Sequence, residues 1–419
     1  MEIMTSREMV SQERNFSINW LALSILAIGG GIIYLLPYLR STYYQTLQEA
    51  LGVTNTELGL IQSVFGILTI LCYFPGGWLA DKVSPRILLT VSFVGTGLAG
   101  LYYATLPSFP MVVAIHVFFG LTTTLTFWAA FIKATRMCAS SSAQGRAFGI
   151  LEGGRGLTST IVSFLSVGLF ARFADQVVGM KAVIVLFSIV AVVIGILCWL
   201  FIKDDVTGKE DDTWNITWES VRKVLRMASV WLIALIVFLA YTTYRNADFV
   251  TPYMTKICGV SAALGALLGT IRYYGLRPVG AVAAGFLADR ISSSKTMIYV
   301  FGLMCITNVL YIVFPGSPKM LYFVVANMVM LMVGCFAARG IYYALLEEGR
   351  VPVVLSGTAV GVISTIGYLA DVFNPVLGGY LLDAYPGVTG FKYIFAIAAV
   401  TAAIGMLVTY WFRKSVERN

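Results

Sequence analysis

Gly77-Trp78-Leu79-Ala80-Asp81-Lys82-Val83-Ser84-Pro85-Arg86 closes one apolar run, and Gly285-Phe286-Leu287-Ala288-Asp289-Arg290-Ile291-Ser292 closes another. Asp81 and Asp289 stand 208 residues apart. Around them the chain keeps repeating itself. Leu51-Gly52-Val53 is echoed by Cys258-Gly259-Val260 at an offset of 207, and Leu58-Gly59 by Leu264-Gly265 at 206. A repeat this long, built from apolar segments, marks two related bundles of helices.

The bulk numbers say where those bundles sit. The 419 residues are 58% hydrophobic and only 12% charged, with mean hydropathy +0.83. A soluble chain of this length carries about twice that charge. The apolar runs are long and continuous, which fits helices of roughly 20 residues crossing the bilayer and not the short alternating strands of a barrel. Twelve spans are expected, at about 18–48, 56–80, 87–106, 110–136, 146–172, 179–202, 229–256, 262–288, 296–315, 319–345, 354–382 and 389–412. The first is too long for a cleaved signal and stays as a span. The expected fold is an all-α membrane protein, with twelve transmembrane helices in two pseudo-symmetric six-helix bundles.

Of the 29 basic residues, 18 flank one side of these spans and five the other. The positive-inside rule then makes both termini cytoplasmic. The net charge of +8 follows from the same flanking cations and needs no nucleic-acid partner. Residues 1–202 form the expected first bundle and 229–419 the second. Between them, 203–228 reads as a cytoplasmic linker, in which Trp214, Trp218, Val221 and Leu225 recur at the spacing of an amphipathic surface helix. The six cysteines are scattered with no C-x-x-C, and His116 is the single histidine. Both read as packing residues, so no metal site or other cofactor is expected. No Gly-rich phosphate loop ending in Lys-Ser/Thr is present, which speaks against ATP-driven pumping and against an enzyme.

The repeated Gly-x-Leu-Ala-Asp-Lys/Arg block, lying between spans 2 and 3 and again between 8 and 9, resembles the signature of the major facilitator superfamily. The resemblance covers nearly the whole chain. It implies alternating access around a central cavity near mid-membrane. It also implies that Gly77, Asp81, Arg86, Gly285, Asp289 and Arg290 form a conformational latch and not a substrate site.

Charges inside the membrane cost about 2.5–3.5 kcal/mol each on insertion scales and are functional candidates by default. The spans enclose six arginines, at 40, 155, 245, 272, 277 and 339, and the acidic candidates Glu152, Asp248 and Asp371. Arg40 and Arg245 lie 205 residues apart, near-equivalent places in the two halves. Two guanidinium forks facing a shared axis would clamp one anion. The plainer reading is snorkelling, or a local pair of Arg245 with Asp248 three residues on. The arrangement resembles the organophosphate:phosphate antiporter branch, in which arginines of helices 1 and 7 bind the phosphoryl group. Trp128 with Lys133, Gly145 with Glu152-Gly153-Gly154-Arg155, and Arg245…Asp248…Pro252-Tyr253 fall at places where that branch has comparable residues. Arg155 stands where the branch has histidine, and span 2 has no internal lysine.

Arg272, flanked by Tyr273 and Tyr274, is expected to face the cavity, and Arg277 to make contacts between the bundles. Arg339 is expected near the cytoplasmic end of span 10, pairing with Glu347 or Glu348 as a gate. Glu152 and Arg155 form an i,i+3 pair or, with Lys133, a second gate. Asp371 precedes Asn374-Pro375, whose proline is expected to kink span 11. That carboxylate carries a coupling proton or balances an arginine. Tyr34, Tyr38, Tyr244 and Trp128 lie near the proposed arginines and would supply hydrogen bonds.

These residues together point to a secondary active transporter for a small organic anion, phosphorylated, sulfonated or carboxylated, coupled to a proton or a counter-anion. A monomer in a bacterial inner membrane is expected. The alternatives are a multidrug or lipophilic-compound efflux transporter, a membrane sensor built on the same fold, and a lipid flippase.

Overall fold

The computed structural model describes residues 18–139, 144–203, 218–314, 316–352 and 355–418. Within them the chain runs as twelve long helical segments. In the first half these are α1 (Trp20–Ile32 and Arg40–Leu51), α2 (Asn55–Lys82), α3 (Pro85–Tyr103), α4 (Phe109–Gly120 to Trp128–Met137), α5 (Gln144–Phe170) and α6 (Gln176–Phe201). The second half holds α7 (Ala228–Asn246 to Val250–Lys256), α8 (Ala262–Thr270 to Arg277–Ile291), α9 (Ser293–Val313), α10 (Leu321–Ile341 to Leu345–Glu348), α11 (Ser356–Gly367 and Ala370–Ala384) and α12 (Val388–Arg418). A short helix, Trp218–Leu225, precedes α7. The expected linker residue Trp214 and the N-terminal 17 residues lie outside the described residues.

Among the described residues nine helices are, by length and composition, long and apolar enough to cross a bilayer. The three that fall short are α1, α5 and α8. Helix α1 is interrupted between Ile32 and Arg40, α5 carries Glu152 and Arg155, and α8 passes through a π-helical turn at Ile271–Gly275 that contains Arg272. Breaks and charges at mid-membrane are tolerated where protein or a water-filled cavity surrounds them. Helix α7 tightens into a 3-10 turn at Ala247–Phe249 directly after Arg245. Helix α11 is interrupted at Tyr368–Leu369, while Pro375 sits inside the continuous segment that follows. The proline therefore does not mark the break, contrary to expectation. Its missing N–H falls where α11 packs on another backbone.

The inner part of α1 is welded to its neighbours through Gly29, Gly30 and Gly31. A Cβ at Gly30 would lie 2.7 Å from Phe131, and one at Gly31 would lie 2.7 Å from the Arg155 carbonyl. Ser159 Oγ donates to the Gly31 carbonyl at 2.7 Å.

The bundles touch on the outer side. A Cβ at Gly59 of α2 would meet the Pro375 carbonyl of α11 at 2.2 Å, and one at Gly379 of α11 would meet the Asn55 carbonyl of α2 at the same distance. The start of α2 is closed from both sides. Its own capping box satisfies two of the four free N–H groups: Thr54 N donates to Glu57 Oε2 at 2.8 Å, and Glu57 N to Thr54 Oγ1 at 3.1 Å. Asp383 of α11 takes the other two, from Asn55 N at 3.1 Å and Thr56 N at 2.7 Å. The same carboxylate accepts from Asn55 Nδ2 at 2.6 Å and Thr56 Oγ1 at 2.5 Å. Beside it Lys256 of α7 donates to Gln48 of α1 at 2.7 Å. On the cytoplasmic side a Cβ added at Gly77, Gly153, Gly285 or Gly361 would meet nothing within 4 Å. With the bundles joined outside, and with Tyr73 and Arg277 exposed between them, the molecule is closed outside and open inside.

The residues expected to form a latch lie on that open side. Asp81 is on the last turn of α2, Arg86 packs its guanidinium 4.4 Å over the Trp199 ring of α6, and Asp289 and Arg290 are exposed. Gly77 and Gly285 make no close helix contact in this conformation.

Candidate substrate cavity

Exposure deep in the protein locates the cavity. Tyr73 of α2 is 38% exposed, although its electrostatic neighbours are Tyr34, Tyr38, Tyr368 and Asp371. Arg277 of α8 is exposed, with Arg155 and Glu152 of α5 and Arg339 of α10 as charged neighbours. Groups ringed by residues of both bundles are exposed to space between the bundles and not to lipid.

At its closed end sits a compact set of charges. Arg245 Nε pairs with the Asp371 carboxylate, and Arg245 Nη1 lies 3.6 Å from Asp248. Arg245 Nη2 donates to Tyr241 Oη at 3.1 Å, and Nη1 to Tyr273 Oη at 3.5 Å. Arg272, fully buried, donates to Asp248 at 3.0 Å and to the Ser41 carbonyl of α1 at 2.8 Å. Two arginines and two aspartates balance one another, and the group is tied across the bundles through Ser41. Asp371 lies in the first turn of the segment of α11 that follows the break at Tyr368–Leu369. Asn374 fixes that segment by donating to the Thr242 carbonyl at 3.0 Å.

Above and below this neutral set lie two arginines that form no salt bridge among the described residues. Arg40, 4% exposed, is on the outer side, 5.2 Å from the Tyr44 ring and 5.4 Å from the Phe249 ring. Its Nε and Nη2 find no hydrogen-bond partner among the described residues. Arg339 is on the inner side, over Tyr244 at 4.4 Å and Tyr241 at 5.3 Å. Those two rings also lie 5.2 Å from Arg245. The same pair of tyrosines therefore separates a compensated guanidinium from an uncompensated one.

The expected residues are distributed as follows. Arg40 and Arg245 share no partner. Tyr38 of α1, not Arg40, meets Arg245, at 4.7 Å. Tyr244 lies between Arg245 and Arg339. Arg272 is sealed in the interior and joins the bundles, while Arg277 is exposed, the reverse of the expected assignment. Arg339 does not pair with Glu347 or Glu348, because the Glu348 carboxylate caps α9 by accepting from Ser294 N at 3.1 Å. Glu152 and Arg155 do form the i,i+3 pair. Arg155 also donates to the Gly30 carbonyl at 3.3 Å and lies 5.6 Å from the Trp128 ring. Lys133 is spent elsewhere, donating to the Ala80 carbonyl at 2.7 Å. Tyr34 donates its hydroxyl to the Thr123 carbonyl at 3.0 Å, inside the π-helical turn Leu121–Leu125 of α4. His116 packs edge-on against Tyr103 and Phe119. Sequence reasoning did not single out Tyr73, Tyr241, Tyr368 or Asp383 as site residues. Only Tyr241 carried a signal, one helical turn before Arg245.

A family model described as Major Facilitator Superfamily matches residues 20–244 and 233–419. The chain is 31% identical over 411 residues to the inner membrane protein YqcE of Escherichia coli K12, covering 96% of this chain and 95% of that protein. It is 21% identical to a D-galactonate transporter of Escherichia coli O6:H1, covering 85% and 87% of the two chains. To a glycerol-3-phosphate transporter of Bacillus subtilis it is 22% identical, covering 87% and 86%. Among solved structures, a bacterial homolog of the lysosomal transporter Spinster, inward-facing and occupied, superposes with a TM-score of 0.73 at 14% identity, covering 94% of this chain and 96% of that one. At that identity the likeness shows the fold alone.

Proposed function

The chain belongs to the Major Facilitator Superfamily, and from that premise we propose that it moves a small organic anion across the inner membrane by alternating access. It is a transporter and not an enzyme. The observation that carries the anion reading is the charge of the cavity. Six intramembrane arginines stand against three carboxylates, and Arg40, Arg277 and Arg339 form no salt bridge among the described residues. A low-dielectric cavity with an excess of positive charge favours anions and disfavours cations. Two of the relatives are named for hydroxylated anions, galactonate and glycerol 3-phosphate, which supports the same class.

In this reading Arg245, Arg40 and Arg272 govern the anion, with Tyr34, Tyr38, Tyr244, Trp128 and Arg155 around it. Asp371 is the charge that an incoming anion displaces from Arg245. Released from that pair, it holds a coupling proton or repels the anion onward, with Asp248 and Glu152 as the other carboxylates in range. The bundles at 1–202 and 229–419 rock about the outer contact, with 203–228 as the link.

The test is the thermal stability of the purified protein against organic phosphates, sulfonates, carboxylates, neutral sugars and lipophilic cations. A ligand of the folded state raises the melting point by mass action. A rise with one class of anion, lost in Arg245→Ala or Arg40→Ala, is expected. Rises with neutral or cationic compounds alone would reject the anion reading in favour of efflux.

A further inference from the structure

We propose that Arg339 seats the anionic group of the substrate, and that the hydroxyl chain Tyr342, Tyr368, Tyr343 and Ser364 binds hydroxyl groups on the same molecule. The substrate class is then a polyhydroxylated organic anion. This deepens the anion reading above and rests on it.

Arg339, like Arg277, forms no salt bridge among the described residues, and it is held in place against ring faces. Arg245 has Asp371 and Asp248, and Arg272 has Asp248 and the Ser41 carbonyl. Arg40 is sealed behind Tyr44 and Phe249 on the closed outer side. Arg339 lies on the open side, partly exposed, over two ring faces and hydrogen-bonded to the Tyr342 hydroxyl. Ring faces position a guanidinium without neutralising it. Its placement is fixed by backbone packing: Gly340 lies against Ala281, and Gly280 against Phe336 and Ala337, so α10 and α8 meet without a gap at this level.

The hydroxyl chain begins beside it. Tyr342 and Tyr368 are electrostatic neighbours of Arg339. Tyr342 Oη lies 3.3 Å from Tyr368 Oη, which lies 3.2 Å from Tyr343 Oη, which lies 2.7 Å from Ser364 Oγ. Each hydroxyl has one donor and two acceptor positions, so the chain leaves acceptors unused. Two of its three links exceed the usual O–H···O separation of about 2.7–2.8 Å. Long links of this kind are readily exchanged for hydroxyls of a ligand. Tyr368 also packs against Tyr241, at 4.8 Å between ring centres with the rings tilted by 47°, so the hydroxyl chain and the arginine seat adjoin.

The experiment compares matched probes on the purified full chain, by melting-point titration at millimolar ligand. D-gluconate is set against hexanoate, and glycerol 3-phosphate against propyl phosphate. The hydroxylated member of at least one pair is expected to bind more tightly than its partner. Arg339→Gln is expected to weaken that binding at least about tenfold, and Arg339→Lys to restore part of it. Tyr368→Phe is expected to weaken only the hydroxylated member, by about fivefold. Lys181→Gln, a cationic position exposed near the outer end of α6, serves as the comparison and is expected to change affinity little. Unliganded melting points show that each variant is folded. The inference is overturned if Arg339→Gln binds as the wild type does, if the deoxy partners bind equally well, or if no probe binds. If anions bind and Arg339 does not matter, the inference falls alone. If cations or neutral compounds stabilise the protein and no anion does, the anion reading falls with it.

Discussion

Asp383 caps a helix that belongs to the other bundle, and removing it should unbalance the two faces of the protein. Its carboxylate accepts four hydrogen bonds from the start of α2, two of them from backbone N–H groups that α2 does not satisfy itself. An N-capping side chain contributes about 0.5–2 kcal/mol, and a negative charge at a helix N-terminus about 0.3–1 kcal/mol. The site is solvent-exposed, so the freed donors rehydrate and the side-chain bonds add little. Asp383→Ala should therefore cost the outer-closed conformation about 2 kcal/mol, a shift of about 30-fold toward an outer-open one. Asp383→Asn keeps an acceptor and loses the charge, so it should shift the balance by about half that free energy. The assay is a spin-label distance between Thr105→Cys and Lys319→Cys, two exposed positions on the outer loops of opposite bundles, in a background without native cysteines. Wild-type and Asp383→Ala distributions that coincide, with the variant folded, would refute the reasoning.

Gly379→Ala places a Cβ 2.2 Å from the Asn55 carbonyl. Overpacking of this size costs about 1–3 kcal/mol, and the same label pair should report separation of α2 from α11. Arg272→Gln leaves Asp248 buried without its full partner. The melting point should fall by the equivalent of about 3–5 kcal/mol, far more than for Arg277→Gln, whose side chain is exposed. His116→Phe keeps the edge contacts with Tyr103 and Phe119, so ligand-induced melting shifts should match the wild type. A loss of ligand response in that variant would give His116 a part in binding that its position does not explain.

Much of the fold was legible because membrane insertion imposes length, hydropathy and flanking charge on each span, and the repeat fixed the pairing of the halves. The Glu152–Arg155 pair was legible for a local reason, i,i+3 spacing on a regular helix. The cavity was harder to read. Reading Arg40 and Arg245 as facing a common axis assumes straight helices, yet α1 is interrupted just before Arg40 and α7 tightens just after Arg245. The π-helical turn around Arg272 likewise departs from 100° per residue. Asp371 and Asp383 lie on α11 twelve residues apart, and nothing in their spacing reveals that one faces an arginine of its own bundle and the other the N-terminus of α2. Tertiary contacts decide that.

The order of charges along the cavity has a kinetic consequence. From the cytoplasmic mouth inward an approaching solute passes Arg155 and Arg277, then Arg339, and only then the balanced set around Arg245. Positive walls of low dielectric concentrate anions before any contact is made. The field weakens as salt shortens its range, to about 8 Å at physiological ionic strength. The outer surface of the contact carries instead the carboxylates of Glu49, Glu57 and Asp383, with Lys256 beside them. On the anion reading proposed above, raised ionic strength should therefore slow capture at the inner mouth.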